Sequence, residues 1–225
     1  MKQSYTCIIP FYNEGNRILD TLAVVTRVSS FSEIICIDDG STDNALIDIQ
    51  KQYPHVTLMT LPTNRGKSDA ISAGLHATKT SDIFLIDADL QSLSHEELSS
   101  AIKKYETHHL DMLILGRHDS NLFVKMNRGD ILFSGQRILS VTDLHEIFSV
   151  SPDKYQLEIA INTYMRKKKK HVAWMASSLL NTYKSEKWGF FSGVSHELSM
   201  AWDIIRYAGP REYLAQIRTF AKQRV

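Results

Sequence analysis

The first half of the chain alternates short apolar runs with helical patterns, and this alternation constrains the fold more than any other feature of the sequence. The apolar runs are continuous, as in Tyr5–Pro10 and Glu33–Ile37. Continuous runs of this length indicate strands buried on both faces, and the helices between them indicate parallel pairing. We therefore expect an α/β fold with a mostly parallel sheet flanked by helices. The expected strands are residues 5–10, 33–37, 56–60, 83–86 and 112–115, and the expected helices between them are residues 14–28, 43–53, 67–77 and 96–105.

The second half has a less regular pattern. Residues 116–135 contain glycine, asparagine, aspartate and serine without clear periodicity, which is typical of an active-site loop. Because no linker or internal repeat interrupts the chain, we expect a single domain over residues 1–225 with a C-terminal helical extension. The patterns after the loop are helical at residues 142–148 and 156–168, strand-like at 172–175, and helical at 195–218 with an interruption at Gly209–Pro210.

Composition excludes several classes of protein. The 225 residues are 43% hydrophobic and 23% charged, which is ordinary for a globular protein and unlike a disordered one. The formal net charge of +1 predicts no overall attraction to nucleic acid. Cys7 and Cys36 lie in strand patterns, so we expect buried free thiols, with a disulfide as the alternative if the strands are neighbours. A start without a signal-peptide pattern, and apolar runs too short to span a bilayer, favour a cytoplasmic location.

Carboxylates follow three of the first four predicted strands. Glu14 closes the segment after the first strand, Asp38 and Asp39 follow the second, and Asp87 and Asp89 follow the fourth. Open α/β sheets bind ligands beyond the carboxyl ends of their strands. We therefore expect the functional site at this edge of the sheet.

The Asp87-Ala88-Asp89 triplet predicts a metal site. Alternate residues of an extended segment point the same way, so both carboxylates can face one ligand. Two neighbouring carboxylates repel each other unless a cation lies between them, and a hard divalent ion also leaves positions for phosphate oxygens. Gln91 adds a neutral oxygen at the next alternate position. The alternative is an ordinary strand-end turn with a helix-capping aspartate.

Two further segments have the composition of ligand-binding turns. In residues 38–43, Gly40 permits a tight turn and Ser41 or Thr42 can cap the next helix, whereas the Asp38–Asp39 pair can accept hydrogen bonds from a base N–H or from ribose hydroxyls. Lys67 follows Gly66 at a predicted helix N-terminus, where anions are favoured, although a solvated helix start is the alternative.

Taken in order, these motifs resemble the family 2 glycosyltransferases with the GT-A fold. The segments that carry the resemblance are PFYNE (10–14), IDDGSTD (37–43), NRGKSDAISAGL (64–75) and DADLQ (87–91), followed by Gly116-Arg117, SGQR (134–137), YQLE (155–158) and KSEKWG (184–189). The DADLQ form is similar to dolichyl- and polyprenyl-phosphate sugar synthases. The SGQR and YKSEKWG segments are more similar to small soluble bacterial relatives.

The resemblance implies transfer of a sugar from a UDP- or GDP-linked donor to an acceptor, with Mg²⁺ or Mn²⁺ as cofactor and usually with inversion at the anomeric carbon. Residues 1–115 would form the nucleotide-binding half and residues 116–225 the acceptor side. The nucleotide pocket would comprise Pro10, Tyr12, Glu14, Asp38 and Asp39. Asp87 would contact ribose or metal, and Asp89 with Gln91 would hold the metal.

By the same resemblance, cationic residues would neutralise the diphosphate. These are Arg117, Arg137 and Lys187, with Lys67 at its helix start. Residues 184–189 and Arg137 are expected to close over the diphosphate once donor and metal are bound. Glu158 is the first candidate for a base that activates an acceptor hydroxyl, ahead of Asp119 and Asp130.

The acceptor stays open at this point. Ser92–His95 replaces the histidine and prolines that usually follow the motif in polyprenyl-phosphate synthases, so a polyprenyl phosphate and a glycan or small-molecule hydroxyl are both considered. The basic run Arg166–Lys170 could contact anionic lipid at the inner face of the membrane, at about 1 kcal/mol per residue, or form a solvated helix end. The alternative functions are a sugar nucleotidyltransferase, which needs a glycine-rich loop where this chain has only Gly15, and an inactive module that binds nucleotide sugars.

Overall fold

A computed structural model describes residues 4–92, 94–116, 128–150, 157–178 and 209–225. The strands are β1 (Tyr5–Phe11), β2 (Phe31–Asp38), β3 (Thr57–Thr60), β4 (Asp82–Leu85), β5 (Met112–Gly116), β6 (Arg137–Ser140), β7 (Val172–Ala176) and β8 (Gln223–Arg224). The helices are α1 (Arg17–Val25), α2 (Ala45–Gln52), α3 (Lys67–Ala77), α4 (His95–Thr107), α5 (Gly129–Leu132), α6 (Val141–Ser149), α7 (Leu157–Lys167) and α8 (Pro210–Thr219).

The described strands form one eight-stranded sheet in the order β3-β2-β1-β4-β6-β5-β7-β8. Neighbouring strands are parallel except at β6, which is antiparallel to both β4 and β5. The predicted α/β fold with a mostly parallel sheet is therefore confirmed. Because β6 runs the other way, its amino end lies at the same edge of the sheet as the carboxyl ends of β1, β2 and β4. The turn before β6 thereby joins the predicted ligand-binding edge.

Two apolar layers cover the sheet. Along β1, Cys7 and Ile9 face one layer and Ile8 faces the other, as the two-residue period of a strand requires. The first layer is completed by residues of α1, α2 and α4, and the second by residues of α3, α6 and α7. Both faces are thus buried, which explains the continuous apolar strands in the sequence.

The two cysteines are buried free thiols, as predicted. They lie on neighbouring strands, but the register pairs Cys7 with Ile34 and Cys36 with Ile9. Burial raises the pKa of the Cys36 thiol to about 12, and burial followed by the proximity of Cys36 raises the pKa of Cys7 as well. Both thiols are therefore protonated and unreactive at neutral pH.

Strand β6 was not predicted, and neither was the short β8. Strand β6 begins with a charged residue, Arg137, so its apolar signal is reduced to Ile138 and Leu139. At the other end of the chain, helix α8 begins at Pro210 after Gly209, whose φ is 84°, in accord with the predicted interruption. The earlier part of the predicted helix, residues 195–208, lies outside the described residues. In the described ranges, no helix combines the length and apolar character that crossing a bilayer requires.

Gly40 is required where the turn after β2 meets the loop after β3. Its φ is +75°, and a Cβ atom there would lie 2.8 Å from the carbonyl carbon of Thr63 and 2.9 Å from the backbone nitrogen of Asn64. Backbone atoms cannot give way as a flexible side-chain end can. Gly15 also has a positive φ, +51°, but a Cβ atom there would meet no heavy atom of the described residues within 4 Å.

We therefore expect Gly40→Ala to destabilise the fold by about 2–4 kcal/mol, from left-handed backbone strain together with overpacking. Gly15→Ala is the matched control and should cost only the strain, about 1 kcal/mol. Urea unfolding followed by circular dichroism measures both free energies. Equal losses in the two variants would show that the approach of the two loops is not tight.

Candidate active site

The loops after β1 and β2 are bound to each other at the carboxyl edge of the sheet. The backbone N–H of Asn13 donates to Ser41 Oγ at 2.9 Å, and the backbone N–H of Thr42 donates to Asn13 Oδ1 at 2.8 Å. The backbone N–H of Gly15 donates to Asp43 Oδ2 at 2.8 Å. This reciprocal bonding fixes the two loops as one wall of the site. Within that wall, Pro10 is buried and the Tyr12 side chain is 43% exposed.

The two aspartates that end β2 organise backbone. Asp38 Oδ1 accepts from the backbone N–H of Ser41 at 2.8 Å. Both oxygens of Asp39 accept backbone N–H groups of the loop after β3, Oδ1 from Arg65 and Oδ2 from Gly66, each at 2.8 Å. Both carboxylates are buried. Sequence reasoning assigned Asp39 to a nucleobase and missed that it fixes the loop that leads into Lys67.

A cluster of three charges lies at the centre of the edge. Lys67 Nζ is 2.6 Å from Asp87 Oδ1 and 3.0 Å from Glu158 Oε1. Burial alone lowers the pKa of Lys67, but the charges of Asp87 and then Glu158 outweigh it and raise that pKa above its ordinary value. The ammonium is therefore charged and joins α3, the end of β4 and the start of α7. We call these three residues the charge cluster.

The turn before β6 completes the surroundings of Asp87. Gln136 Nε2 donates to Asp87 Oδ2 at 2.7 Å, and this fixes the orientation of the amide because a carboxylate only accepts. The Ser134 hydroxyl has one proton and two neighbouring acceptors, the carbonyl oxygen of Leu115 at 2.5 Å and Gln136 Oε1 at 2.9 Å. A Cβ atom at Gly135 would lie 2.7 and 2.8 Å from the two Asp87 oxygens and closer still to Lys67 Nζ. A side chain at position 135 would therefore displace Asp87 or Lys67. Sequence reasoning singled out the SGQR motif but assigned a role only to its arginine.

Asp89 and Glu14 add negative charge beside the charge cluster. Burial, and then the charge of Asp87, raise the pKa of Asp89. Burial, and then the charge of Asp89, raise the pKa of Glu14, although Arg17 opposes this from 2.7 Å. The charges of Arg17 and Lys67 oppose the rise in the pKa of Asp89 but do not cancel it, so Asp89 is incompletely neutralised. This excess of negative charge fits a cation.

The donor set beside Asp89 is that of a hard divalent ion. Asp87 and Asp89 offer carboxylate oxygens, and Gln91 is exposed and lines a cleft of about 300 Å³ together with Asp89 and Arg17. Within the described ranges, no three acidic, histidine or cysteine side chains converge so as to enclose a metal ion by themselves. The pair with its amide neighbour therefore suits an ion whose remaining positions are filled by ligand oxygens and water.

A second cleft, of about 380 Å³, is lined by Lys67 and Glu158 of the charge cluster. It is bounded by the start of α3, with Arg65 and Lys67, and by the start of α7, with Leu157 and Glu158. Helix N-termini favour anions, and here the Lys67 ammonium adds to that effect. The cleft therefore presents positive potential at α3 and a carboxylate at α7.

Arg137 is a correction to the sequence analysis. Its side chain is fully buried and donates to backbone carbonyls of Ser134 at 2.7 Å and Leu132 at 2.8 Å, and to Asn162 Oδ1 at 2.6 Å. Burial lowers its pKa to about 10 despite the opposing charges of Glu158 and Asp87. A guanidinium held inside the core does not reach a diphosphate in the cleft. The other predicted phosphate ligands, Arg117 and Lys187, lie outside the described residues, as do Asp119 and residues 184–189.

The basic run Arg166–Lys170 lies at the opposite edge of the sheet. It precedes β7, which is parallel to β5, so it lies at the amino end of that strand. Arg166 pairs with Glu212, and Lys170 Nζ lies 3.0 Å from Asp143 and 3.5 Å from Asp111. Contact of this run with a lipid surface would not bring that surface to the charge cluster.

The sequence of this chain is similar to those of known glycosyltransferases. The model of the family "Glycosyl transferase family 2" matches residues 6–171. The chain is 31% identical over 125 residues to a dolichyl-phosphate beta-glucosyltransferase of Trichomonas vaginalis, an alignment that covers 49% of this chain and 37% of that protein. It is 33% identical over 119 residues to an undecaprenyl-phosphate 4-deoxy-4-formamido-L-arabinose transferase of Shewanella sediminis. That alignment covers 49% of this chain and 36% of the Shewanella protein. The matched part thus spans little more than a third of these relatives.

Solved structures show the same fold. Glucosyl-3-phosphoglycerate synthase of Mycobacterium tuberculosis, crystallised with Mn²⁺, UDP and glucosyl-3-phosphoglycerate, has a TM-score of 0.69 at 16% identity, over 96% of this chain and 80% of that one. Residues 1–349 of Staphylococcus aureus TarS have a TM-score of 0.58 at 18% identity, over 76% of this chain and 58% of the TarS chain. The family match includes every strand end that carries the site as well as Glu158. The chain therefore belongs to glycosyl transferase family 2 and has the GT-A fold.

Proposed function

We propose that this chain transfers a sugar from a UDP- or GDP-linked donor to an acceptor, with the help of a divalent metal ion. The observation that carries the proposal is the charge cluster of Lys67, Asp87 and Glu158 beside the half-buried Asp89, at the ligand-binding edge of the sheet. It combines the carboxylates that a metal–diphosphate needs with a fixed cation. The complex of the mycobacterial synthase with Mn²⁺ and UDP supports the same ligand class.

The nucleoside is assigned to the wall formed by the loops after β1 and β2. Tyr12 is exposed there, Glu14 belongs to the same loop, and Pro10 lies just before the loop near the end of β1. Asp39 uses both carboxylate oxygens on the loop after β3, but each oxygen has a second lone pair that can accept a base N–H. We therefore propose that Asp39 recognises the base in addition to holding the loop after β3.

Asp87, Asp89 and Gln91 would hold Mg²⁺ or Mn²⁺. When bound, such an ion offsets the negative charge that develops on the departing nucleoside diphosphate. Lys67 and Gln136 already hold the Asp87 carboxylate in position before a metal ion binds. Lys67 has three N–H donors, of which two serve Asp87 and Glu158. The third can donate to a phosphate oxygen and add to the electrostatic stabilisation of the leaving group.

Two observations bear on the acceptor. The names of the Trichomonas and Shewanella relatives refer to dolichyl and undecaprenyl phosphate, which supports a polyprenyl phosphate. Glu158 lines the cleft beside Leu157 and is held by Lys67, which supports a hydroxyl acceptor with Glu158 as its base. A sugar nucleotidyltransferase is less well supported, because residues 10–15 contain one glycine instead of a glycine-rich loop.

The metal assignment predicts the behaviour of Asp89→Asn. The substitution keeps the shape of the side chain but removes one of the two paired charges. The affinity for UDP or GDP in the presence of Mn²⁺, measured by calorimetry, should fall by at least about tenfold, while the unfolding temperature is preserved. Asp20→Asn, which removes a charge from the same cleft without touching the pair, is the control and should retain its affinity. Unchanged affinity in Asp89→Asn would refute the metal assignment.

The two acceptor classes predict different results for Glu158→Gln. A hydroxyl acceptor needs a base, so its turnover should fall by about 100-fold or more, whereas a phosphate acceptor is already anionic and should lose less than about tenfold. Transfer of labelled sugar to a polyprenyl phosphate and to a panel of hydroxyl acceptors separates the two cases. Glu146→Gln on α6 is the control. If the substitution leaves transfer to every acceptor unchanged, Glu158 is not the base.

A further inference from the structure

A fully buried arginine needs an explanation beyond packing. Arg137 opens β6 between two central strands, where its neighbours Ile138 and Leu139 are also fully buried. Removing a guanidinium from water is costly unless its donors are satisfied, and an apolar side chain of similar size often packs as well. Among the described residues, the oxygen atoms that accept from its guanidinium lie in the segment from Leu132 to Ser134 before β6 and in helix α7, and its further partner is Met112 Sδ on β5 at 4.0 Å.

The first connection leads from Arg137 to Asp87. Arg137 Nε donates to the carbonyl of Ser134, and Arg137 Nη2 donates to that of Leu132, so the guanidinium holds the turn from inside. Ser134 Oγ lies 2.9 Å from Gln136 Oε1 and 2.5 Å from the carbonyl oxygen of Leu115, and Gln136 in turn donates through Nε2 to Asp87. The backbone of Gln136 is fixed as well, because its carbonyl accepts from the N–H of Leu115 at 3.1 Å.

The second connection leads from Arg137 to Glu158. Arg137 Nη1 donates to Asn162 Oδ1, and Asn162 Nδ2 donates to the carbonyl of Leu132 at 3.0 Å. Asn162 lies four residues after Glu158 on α7, so the two side chains share one face of the helix. The same arginine thereby fixes α7 against the turn, and Glu158 with it.

Lys67 closes the two connections into one circuit, since it contacts both Asp87 and Glu158. The circuit contains two carboxylates and two cations. The cations lie at opposite sides of it, with Lys67 in the cleft and Arg137 in the core. We call it the polar ring, and its members are Arg137, Ser134, Gln136, Asp87, Lys67, Glu158 and Asn162.

We propose that Arg137 is a positioning residue that sets the spacing of Asp87 and Glu158 around Lys67, through Gln136 on one side and through Asn162 on the other. It touches neither substrate nor reacting atoms. Its effect on turnover rests on the proposed function, whereas its effect on the geometry of the ring does not.

The geometry is tested by NMR of the Gln136 side-chain amide, whose signals are assigned as the pair lost in Gln136→Leu. Arg137→Met and Asn162→Leu each interrupt the polar ring at a residue that does not hydrogen-bond to the Gln136 side chain. In both variants the amide signals should move, and exchange of the Nε2 protons with water should speed up by at least about tenfold. If Arg137→Met does not fold, Asn162→Leu decides the geometry by itself, because it removes a partner of Arg137 without touching Gln136.

Arg128→Met is the matched control for this experiment. Arg128 also donates to backbone carbonyls, those of Phe220 and Ala221, but it lies outside the ring. Its loss should lower stability and leave the Gln136 amide unchanged. Unchanged amide signals in folded Arg137→Met, or an equal change in Arg128→Met, would overturn the proposal.

Kinetics test the consequence for transfer. In Arg137→Met and Asn162→Leu, kcat should fall by about tenfold or more while the KM for the donor changes by less than about threefold. Combining Asn162→Leu with Gln136→Leu should slow the enzyme no further than the slower single variant, because both break one ring. If the fold-losses in kcat of Asn162→Leu and Gln136→Leu multiply in the double variant, the positioning role is overturned. A wild-type chain that transfers no sugar would instead refute the proposed function, and the NMR result would still decide the ring.

Discussion

The contact of one ammonium with two carboxylates connects the two halves of this molecule. Lys67 comes from the first half of the chain, as does Asp87, whereas Glu158 belongs to α7 in the second half. Two carboxylates brought this close would repel each other without a cation between them. Other local features can be understood as placing that ammonium. Asp39 fixes the backbone of Arg65 and Gly66 just before it, and the absence of a Cβ at Gly135 leaves room for it beside Asp87.

The charge balance of the site explains why it suits a metal–diphosphate. Lys67 is committed to Asp87 and Glu158, and Arg17 to Glu14, so Asp89 keeps a raised pKa that burial and the charge of Asp87 cause. A divalent ion would relieve this repulsion, and the phosphates it brings would meet the positive start of α3. The site is thus arranged for a cation and an anion that arrive together.

The sequence was sufficient to predict the sheet of the first half and the carboxylates that follow its strands at one edge. Continuous apolar runs clearly indicate buried strands. Because ligands bind at the carboxyl ends of such strands, the residues that follow each strand become the candidates for the site. Strand β6 was missed because its first residue is a charged one that the fold buries. The roles of Gln136, Asn162 and Asp39 were missed because they depend on hydrogen bonds across 25 to 49 residues of sequence, which no local pattern encodes. Arg137 was assigned to the diphosphate through the family resemblance, and its burial contradicts that assignment.

Thermal unfolding with ligands tests most directly the proposal that the charge cluster beside Gly135 binds the nucleotide-sugar donor. UDP or GDP with Mn²⁺, supplied at about 100 times the dissociation constant, should stabilise the wild type by about 2.7 kcal/mol. Gly135→Ala pushes Asp87 and Lys67 apart and should abolish this stabilisation. Gly116→Ala, whose Cβ would meet only 3.3 Å contacts with Ile131 and Trp174 and a more distant carbonyl, should keep it. Equal stabilisation of Gly135→Ala and the wild type would contradict the account.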